Sequence, residues 1–196
     1  MIREPTKAAN HGTGGSRLQA KKANPLPALD LAPVYAMVVD DNRHMRRVIG
    51  DLLRAFGVGS VAECSSAAQA TRELQKSPAD IVLLDLLLAG AIEDGLGLLR
   101  QLRSLGDPRI CCAPIVMLSG YAEPVAVARA RDAGANDFIV KPVTSAQLYA
   151  RVVTTLAYPR IFVRAPSFFG PDRRRRLDPR YRGANRRGGE VLMIDL

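Results

Sequence analysis

The stretch from Val34 to Asp41, Val-Tyr-Ala-Met-Val-Val-Asp-Asp, indicates the fold most directly. An unbroken apolar run ends there at two adjacent carboxylates. Short runs of this kind are typical of parallel strands that are buried on both faces of a sheet. Comparable runs follow at 81–84, 115–118 and 138–140, with a weaker one at 58–62. The sequence therefore predicts five strands.

Amphipathic segments separate these runs. In the first of them, Met45, Ile49, Leu53 and Phe56 recur at the spacing of one helical face. Further helical patterns cover 67–75, 96–105, 124–133 and 145–156. Strands that alternate with helices predict an α/β fold, a doubly wound five-stranded parallel sheet with helices on both faces.

Charge divides the chain into three parts. The formal net charge is +9, yet residues 34–158 carry as many acidic as basic side chains. The excess lies in residues 1–33, predicted to be a disordered basic N-terminal arm, and in residues 159–196, predicted to be an Arg-rich, largely irregular C-terminal tail. This tail is too short and irregular for a helix-turn-helix, so we expect no DNA-binding output domain.

Cysteine usage and hydropathy predict where the protein works. Its three cysteines are an odd number without metal-ligand spacing, which favours reduced thiols. The N-terminus lacks the apolar stretch of a signal peptide, and the longest apolar region, 81–92, is too short to span a bilayer. We therefore expect a cytoplasmic protein without a membrane span.

Polar residues follow the predicted strands where each strand ends. Asp40 and Asp41 follow the first strand, Asp85 the third, Ser119 the fourth and Lys141 the fifth. In an open α/β sheet these ends meet at one edge, where ligands bind. Three neighbouring carboxylates need a cation, and oxygen ligands in an incomplete shell suit Mg²⁺. The pattern predicts a phosphoryl-acceptor site.

These residues, with Phe138 and the dipeptide Lys141-Pro142, resemble the response-regulator receiver domain of bacterial two-component systems. The resemblance covers residues 34–158 and implies the flavodoxin-like strand order 2-1-3-4-5. It also implies a stand-alone phosphoprotein switch in a phosphorelay, rather than an enzyme.

The same resemblance assigns roles to individual residues. Asp85 would accept the phosphoryl group from the phosphohistidine of a histidine kinase or phosphotransfer protein. The ligands of Mg²⁺ would be Asp40, Asp41, Asp85 and the backbone carbonyl of Leu87. Lys141 would pair with the Asp85 carboxylate and then with a phosphoryl oxygen.

Further roles follow from the resemblance around this site. Ser119 would hydrogen-bond the phosphoryl group, and Phe138 would be an aromatic switch residue, although a plain core aromatic is the alternative. The peptide bond before Pro142 would be cis. Leu87 and Tyr121 occupy positions that tune the lifetime of the phosphoryl group in this family.

The loop after Asp85 departs from the family pattern. It lacks the frequent proline, and it is about two residues longer before the turn Asp94-Gly95. Its apolar stretch, residues 86–92, is unusual for an exposed edge. It predicts either a docking surface for a kinase or target, or a loop folded over the third helix.

The tail combines two adjacent aromatics with a run of arginines. Phe168 and Phe169 precede Arg173, Arg174, Arg175 and Arg176. This pattern predicts a partner-docking element with a short apolar anchor, and a solvated tail is the alternative. An acidic protein surface, the acidic edge of the sheet itself or nucleic acid would fit the arginines.

Three other functions are alternatives to the phosphoacceptor switch. A haloacid-dehalogenase-like phosphatase needs an Asp-x-Asp pair after its first strand, whereas this chain has Asp40-Asp41-Asn42. A pseudo-receiver scaffold is disfavoured because every site position is filled. A nucleic-acid binder would rest on the basic tails alone. We therefore expect signalling to a downstream protein, by the receiver surface or the tail.

Overall fold

A five-stranded parallel sheet forms the centre of the protein, whose computed structural model describes residues 26–89, 91–120, 123–166, 168–172 and 190–192. The strands are β1 (Tyr35–Val39), β2 (Ser60–Cys64), β3 (Ile81–Asp85), β4 (Ile115–Ser119) and β5 (Asp137–Val140). Their order is β2-β1-β3-β4-β5, with every pair parallel. The predicted strand order and fold class are confirmed.

Six helices connect and flank the strands of this sheet. They are α1 (Arg43–Ala55), α2 (Ala67–Lys76), α3 (Ile92–Ser104), α4 (Pro108–Cys111), α5 (Pro124–Asp132) and α6 (Ser145–Ala157). The one-turn helix α4 was not predicted from the sequence. Among the described residues, every helix is too short or too polar to cross a bilayer.

Burial on both faces of the sheet explains its apolar runs. Strands β3 and β4 are buried at every position. Side chains on one face of the sheet, such as those of Met37 and Leu84, join the cluster under α2 and α3. Side chains on the other face, such as those of Val38 and Leu83, join the cluster under α1 and α6. Alternation along each strand thus divides one apolar run between two cores.

The end of the N-terminal arm packs on the domain. Leu31 is buried in the cluster under α1, and its carbonyl accepts hydrogen bonds from the backbone N–H groups of Val34 and Gly59. A Cβ at Gly59 would overlap the carbonyl oxygen of Ala32, so this contact requires glycine. The structure therefore differs from the predicted disorder at residues 26–33, while residues 1–25 lie outside the described part.

A small antiparallel sheet follows α6, where the sequence predicted an irregular tail. Its strands are β6 (Phe162–Ala165), β7 (Phe168–Pro171) and β8 (Glu190–Leu192), in the order β7-β6-β8. Phe162 is buried against Cys111 and Cys112, and Phe169 packs against the same cluster. The two rings lie 5.7 Å apart between centroids. The domain's packed structure thus extends beyond residue 158.

A buried arginine joins this small sheet to the domain. Arg103, on the last turn of α3, donates hydrogen bonds to the backbone carbonyls of Gly134, Cys111 and Ala113 and to Oδ1 of Asn136, at 2.8–2.9 Å. Its guanidinium lies 5.0 Å from the ring centroid of Phe162. Neutral oxygens and an aromatic face therefore stabilise a cation that burial would otherwise disfavour.

The start of α3 lies against the backbone that follows β3. A Cβ at Gly95 would overlap the carbonyl oxygens of Asp85 and Leu86. A Cβ at Gly97, two residues further along the helix, would meet no atom within 4 Å. Leu86 and Leu88 are buried in the core cluster below. Of the two interpretations of this apolar loop, the structure supports the one in which it folds onto α3.

The packing of the tail sheet is testable with Phe162. Replacing Phe162 with alanine should lower the free energy of unfolding by about 3 kcal/mol, because a buried ring is lost and a cavity remains. Urea denaturation of the full chain measures this change. Val125→Ala, at a side chain that is 66% exposed, should shift it by less than about 0.5 kcal/mol. Equal, small shifts in both variants would contradict the packing.

The two α3 glycines form a matched pair for a second test. Gly95→Ala should destabilise the protein by about 1–3 kcal/mol, since the added methyl must displace the backbone beside Asp85. Gly97→Ala should stabilise it by about 0.5–1 kcal/mol, because alanine restricts the unfolded chain and favours a helix. Thermal unfolding would reveal opposite shifts; shifts of the same sign would refute the close approach at Gly95.

Candidate functional site

Strand register brings the predicted site residues together. Val39 of β1 pairs with Leu84 of β3, so Asp40 and Asp85 each come next along their strands. Asp85 pairs with Leu118 of β4, which places Ser119 one residue beyond it. Lys141 follows β5, and its backbone N–H donates to the carbonyl of Ser119 at 2.6 Å. The predicted convergence at one edge of the sheet is present.

One ammonium group joins two buried carboxylates at this edge. Nζ of Lys141 lies 3.0 Å from Oδ2 of Asp40 and 2.9 Å from Oδ2 of Asp85. Asp40 is fully buried and Asp85 is 5% exposed. Such a pair is stable only when its hydrogen bonds are well satisfied. Oδ1 of Asp40 meets this need by accepting from the backbone N–H of Asn42 at 2.8 Å.

The third carboxylate completes an acidic cluster. Asp40, Asp41 and Asp85 each offer an oxygen within 4.8 Å of the others, and Asp41 is exposed to solvent. Among the described residues, this is the only cluster of three or more Asp, Glu, His or Cys side chains compact enough to hold a metal ion. An oxygen-only set with one open side matches the coordination chemistry of Mg²⁺, which keeps part of its water shell.

The electrostatics of the cluster indicate an excess of negative charge. Burial raises the pKa of Asp85, the Lys141 ammonium opposes this shift, and the Asp40 carboxylate reinforces it. For Lys141, burial acts to lower the pKa, but hydrogen bonds to Asp85 and Asp40 outweigh it and raise the pKa. One ammonium thus stands against three carboxylates, which is the imbalance a divalent cation would correct.

The start of α1 positions the Asp40-Asp41 pair. The side chain of Asn42 caps this helix by accepting from the N–H groups of His44 and Met45 at 3.0 and 3.1 Å. Nη1 of Arg46 donates to the carbonyl of Asp40 at 2.6 Å. Sequence reasoning missed Arg46, although its position on the first turns of α1, just after the acidic pair, was a usable signal.

The other predicted residues differ in how the structure places them. Ser119 is fully buried at the end of β4, and Phe138 is half-buried on β5 against the core. The cis bond before Pro142 is confirmed. The backbone N–H of Leu87 lies 3.3 Å from Oδ1 of Asp85, while a metal-binding role for its carbonyl stays a prediction. Tyr121 lies outside the described residues.

The tail residues lie away from this edge. Phe169 packs within the chain on Phe162 and against the guanidinium of Arg164, 4.3 Å from its ring centroid. Phe168 pairs in β7 with Ala165 of β6. The described tail therefore meets the opposite end of the sheet, not the acidic edge. Its arginine run, 173–176, lies outside the described part of the chain.

Comparisons with known proteins agree with this geometry. The protein-family model described as the response regulator receiver domain matches residues 36–153 of this chain. The chemotaxis protein CheY-3 of Vibrio cholerae is 33% identical over 112 residues, covering 57% of this chain and 83% of that protein.

Solved structures show the same fold. A candidate response regulator from Chloroflexus aurantiacus is 30% identical, with a TM-score of 0.58, and covers 63% of this chain and 98% of that one. The receiver domain of NtrX from Brucella abortus is 28% identical, with a TM-score of 0.56 over the same shares of the two chains. Strand order, acidic edge and sequence match together show that this chain belongs to the family of response regulator receiver domains.

Proposed function

We propose that this receiver domain is a phosphoacceptor switch that takes a phosphoryl group on Asp85 with the help of Mg²⁺. The observation that carries the proposal is the buried contact of Lys141 with Asp40 and Asp85, beside the open carboxylate of Asp41. This arrangement presents a carboxylate nucleophile, a cation for its charge and an acidic site for a metal ion in one place.

Asp85 is the proposed nucleophile because it ends β3, the central strand of the sheet. One of its carboxylate oxygens would attack the phosphorus of a phosphohistidine on a histidine kinase or phosphotransfer protein. A new O–P bond forms, the P–N bond breaks, and the imidazole nitrogen keeps the electron pair. The acceptor assists this transfer to itself and does not turn over a substrate, so the proposed role is that of a switch and not of an enzyme.

Asp40, Asp41 and Asp85 would hold Mg²⁺, with the carbonyl of Leu87 as a fourth protein ligand. When bound, the ion neutralises phosphoryl oxygens during transfer. The protein's own contribution is to fix these carboxylates before the reaction, through the cap at Asn42 and the Arg46 contact to the Asp40 carbonyl. Preorganised charge costs little rearrangement when the phosphoryl group arrives.

Lys141 and Ser119 are the proposed readers of the phosphoryl group. In this structure the Lys141 ammonium bridges Asp40 and Asp85. Phosphorylation would add negative charge beside it, so its hydrogen bonds would have to be divided between these carboxylates and the phosphoryl oxygens. Ser119 and Lys141 are joined by a backbone hydrogen bond between β4 and β5. A shift there would reach Phe138 on β5, the proposed switch residue, and bias the surface that meets a downstream protein.

Labelling by acetyl phosphate tests the acceptor assignment. With Mg²⁺ present, the full chain should gain an acid-stable, hydroxylamine-labile phosphoryl label, and Asp85→Asn should lose it because the nucleophilic oxygen is replaced by an amide. Chelation of Mg²⁺ should also remove it. The control Asp94→Asn changes an exposed carboxylate on the first turn of α3 and should keep full labelling. Full stoichiometry in Asp85→Asn would refute the assignment.

The Lys141 contact makes a separate prediction about stability. Lys141→Met should lower the free energy of unfolding by about 3 kcal/mol in metal-free buffer, since two buried carboxylates lose their cation. Added Mg²⁺ should recover part of that loss. The control Lys76→Met removes an exposed ion pair with Glu73 and should cost less than about 0.5 kcal/mol. Chemical denaturation with and without Mg²⁺ measures both; similar losses would argue against the buried bridge.

A further inference from the structure

A cavity lies at the opposite end of β5 from Lys141. It has a volume of about 410 Å³, within the range of small-molecule sites, and it forms where the chain after α6 turns back along the domain. The residues that matter for its chemistry are Asn136, Arg151, Thr154, Tyr158, Arg160 and Asp172. None of them belongs to the acidic edge, so this cavity is independent of the proposed phosphoryl site.

Asn136 supplies the first sign of a missing partner. It is 7% exposed, and its Oδ1 accepts from Nη2 of Arg103 at 2.9 Å and from the backbone N–H of Ile115 at 3.0 Å. Both partners are donors, which fixes the orientation of the amide. Within the described part of the chain, no acceptor meets Nδ2 of Asn136. Buried amide N–H groups are normally hydrogen-bonded, so this one calls for an external acceptor.

Two guanidiniums and two carboxylates line the cavity, those of Arg151, Arg160, Asp137 and Asp172. Nη1 of Arg151 is paired with Oδ2 of Asp137 at 3.0 Å, which leaves that pair neutral. Arg160, half-buried, forms no ion pair with any residue that the structure describes. Asp172 also lines the cavity, yet it has an interaction of its own and does not pair with Arg160. Apart from the Arg151–Asp137 pair and Asp172, the polar side chains that we consider are an amide, a guanidinium and the hydroxyls of two threonines, all of which can donate hydrogen bonds.

We propose that this cavity binds a small molecule carrying an oxyanion, a phosphate or carboxylate group. Nδ2 of Asn136 and the guanidinium of Arg160 would donate to the anion, with the Thr154 and Thr155 hydroxyls completing the polar wall. The ring of Tyr158, 63% exposed, stands at the opening and suits contact with an organic group attached to the anion. Residues on both α6 and the tail would thus share one ligand.

NMR titration of the full chain tests this site with three probes, namely inorganic phosphate, citrate and adenosine 5′-monophosphate. Binding should move the side-chain amide resonances of Asn136 in a saturable way. A response to all three assigns the site to the oxyanion alone, whereas tighter binding of the nucleotide adds a role for the Tyr158 ring. No saturable shift with any probe would overturn the proposal.

Two variants separate the site from general attraction between charges. Asn136→Asp keeps an oxygen for Arg103 and for the Ile115 N–H but turns a carboxylate oxygen toward the ligand, so binding should weaken at least tenfold while the fold persists. Arg160→Gln should weaken it similarly. Arg72→Gln removes the same charge from an exposed position on α2 and should leave binding unchanged. Equal weakening in Arg160→Gln and Arg72→Gln would overturn the site.

Discussion

The contact of Lys141 with Asp40 and Asp85 is the constraint on which the rest of the domain depends. It joins side chains 101 residues apart, and two of its three members are almost fully buried. Charges in such a place are tolerated only when distances and hydrogen bonds are right. The ends of β1, β3 and β5 must therefore stay in register, and the parallel order β2-β1-β3-β4-β5 provides this register.

The two ends of the sheet solve opposite electrostatic problems. At the carboxyl end, three carboxylates exceed one ammonium, and the excess is suited to a metal ion. At the amino end, Arg103 is a buried cation surrounded by neutral oxygens and the Phe162 ring. That end needs no ion, but it needs a cover against water, and β6 with Phe162 supplies one. The tail sheet is thus part of the domain's packing.

The features that could be predicted from the sequence share a physical cause. Strands buried on both faces leave long apolar runs, and a polar residue directly after such a run must lie at the sheet's edge, so Asp85, Ser119 and Lys141 were visible. The tail strands were not visible, because four-residue strands around Phe162 and Phe169 are too short to show alternation. Nothing in the sequence distinguishes Arg103 from the other polar residues of α3, since only tertiary contacts reveal the carbonyls that it binds.

The loop after Asp85 shows why composition alone leaves two interpretations open when backbone geometry is unknown. Leu88 and Ala91 form an isolated antiparallel bridge, and between them Ala89 adopts a positive φ of 54°. This tight turn sends Leu88 back into the core and leaves Ala89 exposed at the tip. A non-glycine residue in that conformation is strained, so the buried Leu86 and Leu88 that precede it must hold the turn. The loop thereby turns back beside the Asp85 carboxylate, and the buried side chains of Leu86 and Leu88 anchor it.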